Sequence, residues 1–260
     1  MFFQKKWVSG SIALCCFFCS LSVHSIGLST FRIYLDQDQS NTAFTIYNRN
    51  TLPQDCKLKL IYYKFDDNGQ MAALSEDEEL PANNAHNRVR FSPKNFILSP
   101  ANSQTVKFTL RRRAKQSPQE YRSYLAIDCG VEIKQGENKN DTDRGQIALT
   151  PKLQHNVPLI VRTGRLEAEV SFANIDIENN KVKFDLTRKG TRSVFGNLAV
   201  VEKLTDKVVT NRKLISVYTE TSSKPYSLGL GDFNPEQVYL RFSEDTRYGG
   251  DLVITQDLGI

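Results

Sequence analysis

The sequence predicts an all-β protein made of two sandwich domains in tandem, and three observations carry that prediction. Apolar and polar residues alternate with a period of two over many short runs, the pattern of strands with one buried face. Clusters of Gly, Pro, Asn and Asp break these runs roughly every 8–12 residues. The chain has 260 residues, 40% hydrophobic and 24% charged, which suits two cores at roughly 100–150 residues each. No long helical periodicity appears.

The first 25 residues stand apart. Lys5 and Lys6 precede an apolar stretch from Trp7 to Phe18, and small residues follow at Ser22 and Ser25. Basic, apolar and small in that order is a secretory signal peptide, expected to be cut after Ser25. The stretch is short for a membrane anchor, and no later apolar run approaches bilayer length, so the mature chain is expected not to insert into a membrane. None of Cys15, Cys16 and Cys19 follows a lipid-attachment box. Cleavage removes two lysines, so the net charge falls from +5 to +3, a mild excess that argues against nucleic acid as partner. Of the five cysteines only Cys56 and Cys129 remain, an even pair in an exported chain and a disulfide candidate. Two buried thiols that never meet are the alternative.

Strands are expected first over Phe31–Leu35 and Thr42–Tyr47, with Asp36 to Asn41 as the turn between them. Lys57–Tyr63 follows a Pro-containing loop and stops at the turn cluster Asp66 to Gly69. Val89–Phe91, Asn95–Leu98 and Thr105–Leu110 are punctuated by Ser-Pro at 92–93 and 99–100, and Tyr121–Cys129 gives another strand. The acidic stretch Ser75 to Leu80 reads as one helical turn, and Gly136 to Gly145 as a polar loop. Arg162 to Arg165 is a hinge candidate. Beyond it, Leu166–Phe172, Lys181–Leu186, Asn197–Leu204, Lys213–Tyr218, Gln237–Phe242 and Asp251–Ile254 repeat the strand habit. Short strands at this spacing imply two immunoglobulin-like sandwiches, with domains at 26–163 and 164–260 after a leader at 1–25. In such a sandwich the third and sixth strands are antiparallel neighbours. Cys56 opens the third and Cys129 closes the sixth, within cross-strand reach.

Catalysis finds little support. His86 and His155 are far apart and lack metal-ligand spacing. No nucleophile elbow, phosphate-cradling loop or dinucleotide fingerprint occurs, so neither enzyme activity nor a cofactor or metal is expected. Glu76 to Glu79 lacks the ligand spacing of a calcium loop. Arg111, Arg112, Arg113 and Lys115 can meet an anion, though a run of this kind is more often the wet end of a strand, without aromatics for base stacking.

Residues 147–161 hold more than one sandwich can use. In extended form they span about 50 Å, against about 5–6 residues for an ordinary strand. One face carries Ile147, Leu149, Pro151, Leu153, His155, Val157, Leu159 and Val161. Val157, Leu159 and Val161 belong near the core, which leaves Leu149, Pro151 and Leu153 beyond it or at its lip. Pro151 and Pro158 have no amide hydrogen, so the strand is expected at an edge or broken. An edge strand with a surplus apolar face invites pairing with a foreign chain; a strand broken at Pro151, with Leu149 under the loop, is the alternative.

A resemblance adds to this reading. Arg32-Ile33-Tyr34-Leu35-Asp36, Arg90-Phe91-Ser92-Pro93 leading to Leu98-Ser99-Pro100, and Glu120-Tyr121-Arg122-Ser123-Tyr124-Leu125 stand in a specific order. Val157-Pro158-Leu159-Ile160-Val161-Arg162, then Arg192-Ser193-Val194-Phe195-Gly196-Asn197 and Val217-Tyr218-Thr219-Glu220, continue it. Over nearly all of 26–260 this order resembles the PapD-like periplasmic chaperones of pilus and fimbria assembly. The resemblance implies a boomerang of two sandwiches that binds pilus or fimbrial subunits lacking their last strand, lends them a strand of its own, and delivers them to an outer-membrane usher. It implies no covalent reaction and a periplasmic location. By position, Leu149, Pro151 and Leu153 are the lent side chains, and Arg32 the cleft arginine that holds the subunit's C-terminal carboxylate. The position where the family carries an anchoring lysine is Pro158 here; Lys152 and Arg162 are possible substitute cations from the strand's other face. A structural or adhesive surface module sharing only the sandwich is the rival expectation.

Overall fold

The computed structural model describes residues 26–66, 70–75, 77–111, 117–131 and 153–259. The expected leader over 1–25, and Leu149, Pro151 and Lys152 of the long strand, lie outside the described residues.

The first half is a β-sandwich of β1 (Ile26–Leu28), β2 (Ile33–Leu35), β3 (Asn41–Asn48), β4 (Gln54–Ile61), β5 (Tyr63–Phe65), β6 (Met71–Ala73), β7 (Val89–Ser92), β8 (Asn95–Leu98), β9 (Ser103–Leu110), β10 (Gln119–Val131) and β11 (Gln154–Thr163). One sheet runs β1-β3-β9-β7, the facing one β2-β11-β10-β4-β8, and β5-β6 is a small hairpin. The single strand expected at Phe31–Leu35 belongs to a longer segment that changes sheets. β1 pairs antiparallel with β3, and β2 pairs parallel with β11. Alternation explains the core. In β3 and β9 every second residue is inward, so Phe44, Ile46, Val106, Phe108 and Leu110 meet Leu125, Ile127, Leu159 and Val161 from the facing sheet. β10 is buried on both faces along most of its length, because the second half of the chain covers its outer side.

β10 and β4 bring Cys129 opposite Cys56, and the two form a disulfide across a Cα separation of 4.1 Å. The pairing follows from the strand order. The acidic stretch after Leu74 forms no helix among the described residues. Glu78 donates its amide to the Ser75 carbonyl, and its carboxylate takes the Ser75 hydroxyl and the Lys64 ammonium.

The second sandwich holds β12 (Ala168–Glu178), β13 (Lys181–Gly190), β14 (Val194–Glu202), β15 (Val208–Val217), β16 (Ser223–Gly229), β17 (Val238–Glu244) and β18 (Val253–Asp257). Its sheets run β12-β13-β16 and β15-β14-β17-β18, around a separate core that includes Phe184, Leu198, Val200, Leu240 and Phe242. β16 is not among the expected strands; it carries Pro225 within its run. It lies at a sheet edge, where a residue without an amide donor is tolerated. The chain leaves β11 through Gly164, whose φ of +66° and close Pro118 neighbour (2.9 Å from where a Cβ would sit) leave room for glycine alone.

β11 only partly meets the edge-strand expectation. β10 flanks it over the whole of Gln154 to Thr163 in register, but β2 covers its other margin at Leu159, Ile160 and Val161. That ladder begins just past Pro158, which has no amide hydrogen to contribute. From Leu153 to Pro158 no strand lies on the second side among the described residues, so the margin is open there and closed near the hinge.

Candidate functional site

Polar side chains of the first sandwich converge on the second where β11 meets β14 and β15. Glu120 and Arg162 lie directly opposite each other on β10 and β11, so alternation points both charges outward from the first core at the same place. They form a buried ion pair of 2.8 Å. The pair then takes up both backbone groups of Ser193: the Ser193 amide donates to the Glu120 carboxylate (3.1 Å), and Arg162 Nη2 donates to the Ser193 carbonyl (2.8 Å). Arg162 Nη1 donates to the carbonyls of Tyr248 (3.2 Å) and Gly249 (2.8 Å). Arg162, expected as a possible substitute anchoring cation, has its fork committed in this way to Glu120, Ser193, Tyr248 and Gly249. The alternation that sets it on the face opposite Leu153 also drives it into the seam between the halves. Leu153 is 64% exposed on the strand's other face.

Arg32 sits just before β2 and is 2% exposed, yet no Asp or Glu among the described residues pairs with it. Its Nη1 donates to Ser216 Oγ at 3.2 Å, and its Nη2 reaches Ser193 Oγ at 3.5 Å. Its Nε has no acceptor among the described residues. The guanidinium lies 4.5 Å from the Phe195 ring centroid and 5.7 Å from that of Tyr218. Asp245 feels the Arg32 charge but is itself held by Arg247 at 2.6 Å. Arginine cannot shed its proton to escape burial, so two long hydroxyl contacts and two ring faces leave a cation whose desolvation is poorly compensated.

Sequence reasoning missed a second guanidinium. Arg122 on β10 donates to Glu220 Oε1 (2.7 Å), to the Tyr124 hydroxyl (2.9 Å) and to the Tyr63 carbonyl (3.1 Å). Phe65 and Tyr218 are the rings nearest to it, at 4.5 and 4.7 Å. Tyr218 of the second half therefore stands between Arg32 and Arg122. An arginine set between two tyrosines in a strand that reads as mostly buried was the signal available in the sequence; its partner Glu220 comes from nearly a hundred residues away and carries no local signature. Tyr218 also packs with Tyr34 and Ile160, with Phe65 and Tyr248 at the margin, as a small apolar cluster bridging the halves.

The chain resembles several solved structures. It is similar to the YadV chaperone at 10% identity, with a TM-score of 0.48 over 90% of this chain and 99% of that one. It is similar to the CupB2 chaperone of Pseudomonas aeruginosa at 11% identity, with a TM-score of 0.48 over 89% of this chain and 100% of that one. A third is a structure of the Salmonella enterica SafA pilin in complex with the SafB chaperone: 13% identity, TM-score 0.47, covering 91% of this chain and 97% of that one. No protein-family model matches the sequence, and no curated protein matches it. One fold hosts many functions, so Arg32, Ser193, Tyr218 and the open margin of β11 bear most directly on what this chain does.

Burial pushes the Glu220 carboxyl up, but the charge and hydrogen bond of Arg122, with the Tyr62 hydroxyl, pull harder and leave it below the ordinary value of 4.5. A folded value below the unfolded one contributes stability above about pH 4.5, and that contribution is lost as pH falls through the folded value. Glu220→Gln should therefore lower the urea midpoint at pH 7, and the gap to wild type should narrow steadily below pH 4.5. A gap that stays constant on acidification would show that the Arg122–Glu220 charge pair contributes nothing.

Proposed function

We propose that this protein is an exported, ATP-independent chaperone of the periplasm. It holds incomplete immunoglobulin-like subunits of a pilus or fimbria and passes them to an outer-membrane usher. The observation that carries this reading is Arg32: a buried guanidinium between two sandwiches, with no carboxylate partner among the described residues. A chain terminus supplies what the site lacks, because a carboxylate accepts two parallel hydrogen bonds from one guanidinium, and hydrogen bonds to charged groups contribute about 1.5–3 kcal/mol each. Ser193 and Ser216 hold the fork in place.

The open margin of β11 supports the second contact. From Leu153 to Pro158 a guest strand can pair with main-chain groups that β2 leaves uncovered, and the closed ladder at Leu159 stops it from sliding toward the hinge. Leu153 would then be lent to the guest's core together with Leu149 and Pro151, which lie outside the described residues. Burying a leucine contributes about 1.5–3 kcal/mol. The chemistry is binding alone, with residues 26–163 lending the strand and 164–260 completing the cleft.

The test is co-expression with a sandwich subunit that lacks its last strand. Wild type should protect the subunit from proteolysis and copurify with it, whereas Arg32→Glu should abolish capture and Leu153→Asp should weaken it. Equal capture by Arg32→Glu, with the variant folded by circular dichroism, would overturn the anchoring role.

A further inference from the structure

The first sandwich has a second open margin, on the side opposite β2 and β11. There β7 has β9 on one side and no strand on the other among the described residues, and β8 likewise has only β4. Between them runs a groove of about 900 Å³. Five cations line it: Lys59, Arg90, Lys94, Lys107 and Arg111. All five are exposed and none forms an ion pair among the described residues, and no Asp or Glu lines the groove. Elsewhere on this surface, cations such as Lys64 and Lys183 do have carboxylate partners. Like charges gathered without counter-charges repel one another and set up a positive field over the groove.

We infer that this groove binds an acidic, extended segment of another polypeptide, independently of the Arg32 site. Charge complementarity selects the sign of the partner. Two further features select a peptide over a nucleic acid or another polyanion. The free margin of β7 offers main-chain donors and acceptors that an added strand can use and a phosphate polymer cannot. The floor of the groove is apolar, with Leu58, Leu60, Val89 and Phe91, so alternate side chains of such a segment can be apolar while the others meet the cations. Phe91 is not free to stack on a base: one neighbour is Phe108, stacked at 5.3 Å with 15° between the planes, and Lys94 lies 5.4 Å from its centroid. On the outward face, Arg90 stands opposite Thr109 and Lys107 opposite Ser92 across the β7–β9 ladder, so the two charges are one step apart on one surface.

A labelled dodecapeptide of alternating Glu and Val, its counterpart with Lys for Glu, and a heparin oligosaccharide are the probes, applied to the mature chain by fluorescence anisotropy. The acidic peptide should bind, with affinity falling as salt is raised; the basic peptide should not. Arg90→Glu/Lys107→Glu should weaken acidic-peptide binding at least ten-fold while leaving Arg32-dependent subunit capture unchanged. Both positions are exposed, and Lys94→Gln/Arg111→Gln provides an independent pair should the first lower stability. The inference is overturned if neither pair weakens binding, if the basic peptide binds as well as the acidic one, or if heparin binds more tightly and displaces the peptide.

Discussion

Glu120→Leu with Arg162 left in place should lower the free energy of unfolding by about 3–5 kcal/mol. Both partners are buried, and removing the carboxylate strands a guanidinium that cannot neutralise itself. The Ser193 amide loses its acceptor at the same time. The double variant Glu120→Leu/Arg162→Met should recover part of that loss, since no lone charge remains. It should not recover all of it, because the carbonyls of Ser193, Tyr248 and Gly249 then lack their donor. Urea unfolding of the three proteins reads this directly. The only tryptophan, Trp7, lies in the expected leader, so near-UV circular dichroism of the tyrosines is the signal to follow. A single variant within 1 kcal/mol of wild type would refute the buried pair as a structural tie.

Cys56→Ala/Cys129→Ala should cost about 4 kcal/mol on the chain-entropy account, because the bond closes a loop with a sequence separation of 73 residues. The same loss should appear in the wild type once it is reduced, and reduction should do nothing further to the double variant. Agreement between reduced wild type and double variant separates loss of the cross-link from the packing change made by the alanines. Should the reduced protein unfold at the same urea concentration as the oxidised one, the bond contributes no stability.

What was legible in the sequence is what depends on short-range pattern or on simple topology. Period-two alternation placed most strands, and the strand order alone brought Cys56 and Cys129 together. Val157, Leu159 and Val161 fell in the core as their face required. The sheet change between β1 and β2 was not legible, because apolar residues serve equally well in either sheet. Arg162 was read from its face but not its depth; only the second sandwich, packed over that face, turns an outward arginine into a buried one. Arg122, Tyr218 and Glu220 were missed for the same reason, since a cluster drawn from both halves leaves no spacing to read. The cations of the β7 groove are likewise spread from Lys59 to Arg111, and only folding gathers them.

Arg32, Arg122 and Arg162 all belong to the first sandwich, and the second receives them with hydroxyls, a carboxylate and main-chain carbonyls. The two hydrophobic cores stay separate. Melting the second sandwich by itself would take Ser193, Ser216, Glu220 and the carbonyls of Tyr248 and Gly249 away from these guanidiniums, leaving Glu120 for Arg162 and the Tyr63 and Tyr124 oxygens for Arg122. The halves are thus joined by charges and hydrogen bonds that each half leaves for the other to complete, packed around the small apolar cluster of Tyr34, Ile160 and Tyr218.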